Sequence, residues 1–360
     1  MPLMTEKGVR AMMMRGGSSR GLYFLAEDLP ADETARDDFL MKVMGTPDPR
    51  QIDGMGGAHP LTSKVAIVSA CEHGVADVDY LFLQLGVEQA LVTDRQNCGN
   101  LLAGIGPFAV ERNLVFGDGG EADVRVHMLN SDGVATATFA LADGLPIYAG
   151  DAAIAGVPGT AAPITLDFED IAGGLCGELL PTGNVVDTIA GVQVTMVDNG
   201  MPVVVLRAAD VGISGHEPCE ELESNAQLRE LVEEIRLKAG PLMNLGDVSE
   251  TTVPKMTMVA PPQGGGHLST RTFIPHRCHQ SIGVLGAVSV ATAALLPGST
   301  AADVVDRDGT SDVITLEHPS GTFDAVVSLA GNGDSPTAGR SGIVRTARKL
   351  MDGHVFPRSY

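Results

Sequence analysis

The chain has 360 residues, long enough for two domains each with its own core. Its formal charge is −21, only 4% of its residues are aromatic and tryptophan is absent; the charge argues against DNA or an anionic membrane surface as a partner, and the scarcity of aromatics against base-stacking platforms. Five cysteines without a CxxC pair indicate neither a disulfide framework nor a zinc knuckle, and Met1–Lys7 lacks an apolar signal core, so a reducing cytoplasm is the expected compartment.

In chain order, Met12-Met13-Met14-Arg15 predicts a strand, Gly16-Gly17-Ser18-Ser19 a turn, and Arg20-Gly21-Leu22-Tyr23-Phe24-Leu25 a second strand. A small anionic ligand of so acidic a chain needs cations gathered locally, which directs attention to basic residues in or beside glycine- and serine-containing loops. Arg15 and Arg20 flank the first such turn, and Lys64 follows Leu61-Thr62-Ser63. Taken singly, each is most simply a solvated loop charge.

The tetrad Asn97-Cys98-Gly99-Asn100 then precedes the apolar run Leu101-Leu102-Ala103-Gly104-Ile105. The tetrad suits a turn and the run a buried helix, so Cys98 is expected at a helix N-terminus, where free N–H groups favour anions and a thiol ionises more easily. Cys98 is thereby a candidate proton shuttle or nucleophile, against the plain alternative of a small packed hydrophobe. Within the run, Gly104-Ile105-Gly106-Pro107-Phe108-Ala109 fits GxGxxA, but it follows no strand and Pro107 spoils the phosphate turn, so neither NAD nor FAD is expected. A hairpin follows, from Val124–His127 through Ser131-Asp132-Gly133 to Ala137–Leu141.

The second half repeats this plan. Val194–Val197, Asp198-Asn199-Gly200-Met201 and Pro202–Leu206 again read strand, glycine turn, strand, and Ile314–Leu316 with Ala325–Leu329 repeats the later hairpin. Gly17 to Gly200 and Gly133 to Gly321 are separated by 183 and 188 residues. Half a chain is too long for a solenoid unit, so a whole domain is duplicated. Between these landmarks Glu217–Lys238 predicts a surface helix with the buried stripe Leu222, Leu228, Leu231 and Ile235. The Gly264-Gly265-Gly266 run ahead of Arg271 lacks the Lys-Ser/Thr of a P-loop and reads as a mobile or substrate-hugging loop. His276, Cys278 and His279 have no second ligand cluster, so no metal is expected. Gly283–Leu296 is apolar on nearly every face, as is the run after Cys98, which marks a helix buried inside a curved sheet; it is too short to span a membrane.

The fold class is therefore α+β: two pseudo-symmetric domains, each a curved, mostly antiparallel sheet or barrel wrapped around a central helix. The boundaries fall at residues 1–185 and 186–342, with 343–360 returning to the first domain. The helix N-termini are expected to face each other across a cleft suited to a small anion.

This plan, with its Asn-Cys-Gly-Asn segment, resembles the diaminopimelate epimerase fold. Met14-Arg15-Gly16-Gly17-Ser18-Ser19-Arg20-Gly21, Gln51-Ile52-Asp53-Gly54-Met55-Gly56-Gly57, Leu61-Thr62-Ser63-Lys64-Val65-Ala66-Ile67 and Arg345-Thr346-Ala347-Arg348-Lys349-Leu350-Met351-Asp352-Gly353 resemble the PrpF family of cofactor-free isomerases, over essentially the whole chain. Within it the resemblance is to the branch acting on 4-oxalomesaconate in bacterial breakdown of lignin-derived aromatics. The epimerases carry a second catalytic thiol, where this chain has Ser281-Ile282-Gly283; the resemblance instead pairs Cys98 with Lys64.

That resemblance implies a C=C shift next to a carbonyl, with Lys64 as base and Cys98 relaying the second proton, without metal or organic cofactor. Arg15, Ser18, Ser19, Ser63, Asn97, Gly99, Asn100, Met201, Arg271, Ser281 and Gly283 would hold a small tricarboxylate substrate, through side chains and backbone N–H groups. Neither nucleic acid nor membrane is an expected partner, and a homodimer is left open. A 2-methylaconitate isomerase would share both catalytic residues and differ in pocket shape, first at Met201, where the epimerase pattern has asparagine. A polycarboxylate-binding module would use the same cations without turnover.

Overall fold

The computed structural model describes residues 8–95, 98–117, 119–307, 311–331 and 336–359. These form two units: the first ends at Glu169 and resumes at Arg345, and the second is Asp170–Val344. The first crossing thus precedes residue 185, because the intervening segment belongs to the second unit: Leu175 and Cys176 donate their N–H groups to Asp198, and Ala172 bridges Asn199.

In the first unit, β1 (Val9–Gly16) and β2 (Ser19–Leu25) form a hairpin, followed by α1 (Glu33–Met44), β3 (Lys64–Ala70), β4 (Val78–Leu85) and β5 (Val92–Thr93). Then come α2 (Gly99–Leu102), α3 (Ile105–Glu111), β6 (Glu121–Met128), β7 (Gly133–Ala142), β8 (Leu145–Pro146) and β9 (Pro163–Phe168). The second unit holds β10 (Asp187–Ile189), β11 (Val192–Asp198), β12 (Pro202–Arg207), α4 (Cys219–Ser224), α5 (Ala226–Leu242), β13 (Lys255–Ala260) and β14 (Leu268–Ile274). It continues with β15 (Arg277–Cys278), α6 (Val284–Leu295), β16 (Val313–His318) and β17 (Gly321–Ala330), and β18 (Thr337–Val355) runs on into the first unit.

The duplication shows in the pairing. From β1 the neighbours β2, β3, β4, β6, β7 and β9 follow as antiparallel, parallel, antiparallel, parallel, antiparallel, antiparallel. From β11 the neighbours β12, β13, β14, β16, β17 and β18 follow in the same order. Parallel neighbours need a crossover. Each unit supplies one through an outer helix (α1; α4 and α5) and one through its central helix (α2 and α3; α6). In the first unit β18 pairs with β1 and also with β9, which closes eight strands into a barrel.

Alternation along the strands sends one residue set outward and the other inward. Outside the first barrel, Leu40, Val43 and Met44 of α1 pack on Ala11, Leu22, Phe24, Val65, Ile67, Leu83 and Leu85; each such aliphatic burial is worth about 1.5–3 kcal/mol. In the second unit Leu228, Val232, Ile235 and Ala239 of α5 cover Val194, Met196, Val204, Leu206, Met256 and Met258. The helix predicted over 217–238 is broken at Asn225, whose side chain leaves the helical path to accept the N–H of Leu228 and cap α5. No helix of the described residues is long and apolar enough to cross a membrane.

The helix after Cys98 is also split. Pro107 has no N–H to offer Ala103, and its ring crowds that carbonyl, so the chain pauses at Ala103-Gly104 between α2 and α3. The second central helix is unbroken, capped by Gly283 and Leu296.

Candidate active site

In the first unit Cys98 is the N-cap residue of α2 and is 8% exposed. Asn97 lies outside the described residues. The first turn of α2 lies against the β1–β2 turn, and the glycines there are what allow it: a Cβ on Gly16 would stand 2.5 Å from the Asn100 carbonyl oxygen, and one on Gly17, whose φ is +50°, 2.2 Å from Asn100 Oδ1. Asn100 locks the contact, accepting from Ser18 N–H at 3.4 Å and donating to Ser18 Oγ at 3.3 Å. Arg15 braces the turn from the other side, with Nη1 on the carbonyls of Gly17 and Thr346 at 2.8 and 2.9 Å. Ser19 Oγ is buried with no hydrogen-bond partner among the described residues.

Two tyrosines wall this segment. Tyr23 donates to the Leu101 carbonyl at 2.7 Å and Tyr80 to the Cys98 carbonyl at 3.4 Å. Burial first, and then the proximity of Cys98, push both phenols well above the usual tyrosine range, so they remain neutral donors.

Lys64 begins β3 and is 7% exposed. Its Nζ donates to Gln84 Oε1 at 2.7 Å and stands 4.8 Å from the centre of the Phe82 ring. Tyr80, Phe82 and Gln84 alternate along one face of β4. The amine and the thiol-bearing residue therefore meet the same strand face, at positions about 7 Å apart for each two-residue step. The Ser63 hydroxyl donates to Gln51 Oε1 at 2.7 Å, which ties down the residue preceding Lys64. Arg15 also lines a cavity of about 350 Å³ with Tyr148, Thr346 and Arg348. Burial, and then the Arg348 charge, lower the pKa of its guanidinium.

In the second unit Met201 ends the β11–β12 turn, which α6 holds: Ser289 Oγ donates to the Met201 carbonyl at 2.7 Å, and Asn199 Nδ2 to Thr292 Oγ1 at 2.9 Å. The polar interruptions of the apolar helix thus have partners. Arg271 is 7% exposed, with Nε on the Glu217 carbonyl at 2.7 Å and Nη1 on that of Thr270 at 2.8 Å. Ser281 lies just before Gly283, its hydroxyl 3.2 Å from His318 Nε2. The Gly264–Gly266 loop is pinned, because Gln263, Gly264 and Gly266 give their N–H groups to the Glu317 carboxylate.

Sequence reasoning missed Gln84 and His318. Both sit at ordinary strand positions and matter only through their cross-strand or through-space neighbours, which no local pattern reveals. His276, Cys278 and His279 form no metal-binding group among the described residues; Cys278 is buried and His276 approaches Glu233 at 3.9 Å. The group close enough to share an ion is Cys71, Asp79 and His127, at the end of β3 away from Lys64.

The family model for PrpF protein matches residues 6–358. The chain belongs to the PrpF family. It is 59% identical to the (4E)-oxalomesaconate Delta-isomerase of a Novosphingobium species, over 96% of each chain. It is 53% identical to the 4-oxalomesaconate tautomerase of Pseudomonas putida, over 98% of this chain and 97% of that protein. The crystal structure of a methylitaconate-delta-isomerase superposes with a TM-score of 0.89 at 33% identity, covering 98% of this chain and 96% of that one. In this PrpF member, Cys98 and Lys64 are thus set on a scaffold shared along its full length with isomerases.

Proposed function

We propose that this PrpF member is an isomerase that moves a C=C bond of 4-oxalomesaconate by proton transfer between Lys64 and Cys98. The observation that carries the reading is that both residues, one bearing an amine and the other a thiol, are buried and tied to side chains of one face of β4, Lys64 through its Nζ on Gln84 and Cys98 through its backbone carbonyl on the Tyr80 hydroxyl. The identity of 59% and 53% to an oxalomesaconate isomerase and tautomerase supports the substrate.

The reaction removes a proton from a carbon beside an unsaturated system and returns one at the far end of the shifted bond. Lys64, in its neutral form, takes the first proton, and Cys98 delivers the second. Charge develops on the dienolate oxygen between these steps. The N–H groups of Gly99, Asn100 and Leu101 open α2 without intrahelical partners and offer fixed dipoles to that charge. The buried Ser19 hydroxyl, without a hydrogen-bond partner among the described residues, is a further donor. A substrate carboxylate falls to Arg15, which uses only Nη1 of its guanidinium on backbone carbonyls. Protons alone are exchanged, so the scheme calls on no cofactor.

The test separates binding from proton transfer. Lys64→Met should abolish exchange of the abstracted proton with solvent, followed by NMR in deuterated water. Cys98→Ser should lower turnover by about 10²-fold or more, since a hydroxyl is a far weaker acid than a thiol, while oxalomesaconate still binds both variants by calorimetry. Near wild-type turnover in either variant refutes the assignment.

A further inference from the structure

The amide of Gln84 is held on both ends. Its Nε2 donates to the carbonyls of Pro60, Ser63 and Leu85 at 3.1, 3.0 and 3.1 Å, and its Oε1 accepts from Lys64 Nζ at 2.7 Å. Turning the amide over would press an oxygen against three carbonyl oxygens and leave NH2 facing an amine, so its orientation is fixed by chemistry. Lys64 and Gln84 are direct cross-strand partners, and the Pro60 and Ser63 carbonyls belong to the turn that delivers Lys64 to β3. One side chain therefore anchors both the turn before the lysine and the tip of the lysine itself. The Phe82 ring limits the amine on another side.

We infer that Gln84 is the positioning residue for Lys64, holding its amine at one point in both protonation states that a proton shuttle must pass through. The inference rests on the catalytic reading of Lys64 given above. An ammonium and a neutral amine both keep N–H groups, so a carbonyl oxygen accepts from either. A carboxylate in this place would instead favour the charged form and oppose release of the proton. An apolar side chain would leave the flexible four-carbon stem to several rotamers. Misplacement by about 1 Å costs on the order of 10²-fold in rate. Gln84 is thus matched to its task in length, in polarity and in lack of charge.

The experiment compares pH profiles of kcat and of KM for the wild type, Gln84→Met, Gln84→Glu and Lys64→Met, each checked for folding by circular dichroism. Gln84→Met keeps the length of the side chain and removes the acceptor. It is expected to lower kcat by about 10- to 100-fold, with KM changed by less than threefold, and to move the limb that reports the lysine to lower pH. Gln84→Glu should move the same limb to higher pH, because a carboxylate stabilises the ammonium. A purely structural role would not shift the limb in opposite directions, and if Gln84→Met fails to fold, the Gln84→Glu profile decides. If Lys64→Met is inactive but a folded Gln84 variant gives the wild-type profile, the positioning role is overturned. If Lys64→Met turns over normally, it is the catalytic reading of Lys64 that falls, and the positioning role with it.

Discussion

Gly16 has room for no side chain. An added Cβ would meet the Asn100 carbonyl at 2.5 Å and the Tyr23 hydroxyl at 2.9 Å, both parts of the structure that fixes the first turn of α2. Gly16→Ala is therefore expected to push α2 outward and shift Cys98, costing about 1–3 kcal/mol in stability and about 10²-fold in kcat. Urea unfolding and steady-state kinetics on one preparation check both. The loss of rate should exceed what the loss of folded protein explains. This site was legible at residue level where local chemistry is unusual: two adjacent glycines, a thiol framed by Asn and Gly, arginines in an acidic chain. Gln84 and His318 were not legible, because a polar residue in an alternating strand looks the same whether it faces water or a lysine. Cross-strand register, which decides the matter, is a property of the fold.

At the scale of elements, helix and strand positions followed from apolar periodicity, while the breaks did not. The run after Cys98 reads as one helix until the Pro107–Ala103 conflict is placed in three dimensions, and the 217–238 helix reads as one until Asn225 acts as a cap. The polar residues inside α6 carry a further lesson. Ser289 takes the N–H of Asn199 at 3.0 Å and gives its own proton to the Met201 carbonyl at 2.7 Å, so it couples the central helix to the β11–β12 turn. Ser289→Ala leaves a buried N–H and a carbonyl without this partner and should destabilise the protein by about 1–3 kcal/mol. The first unit makes the analogous tie with Asn100 and Ser18. Calorimetry of Ser289→Ala should show a lowered Tm; an unchanged Tm would mean that the turn stands without the helix.

For the molecule as a whole, stability depends on pH in two opposed ways. Arg112, Arg236 and Arg125 hold the carboxyls of Asp352, Glu233 and Glu169 below the ordinary carboxylate range. Groups so depressed stabilise the fold above their unfolded values near 4, and that contribution is lost as pH falls through the folded ones. His127 behaves in reverse: hydrogen bonds to Asp132 and Asp79 raise its pKa. Its contribution is complete below the unfolded value of about 6.5 and disappears as pH rises through the higher folded one. His127→Gln should therefore lower Tm below pH 6.5, where the charged imidazole contributes fully, and flatten the fall in Tm on the alkaline side so that the two proteins converge there, as read by thermal melts from pH 3 to 9. β18 carries a consequence of another kind. Val9 at the head of β1 pairs with Val355, so the partner strand is translated more than three hundred residues after the one it completes. At typical ribosomal speeds the delay is roughly 20–70 seconds. Throughout that interval the nascent β1 has one edge bare, open to strands of neighbouring chains. Of these two paired strands, the one that leaves the ribosome earlier must wait for the other to be finished.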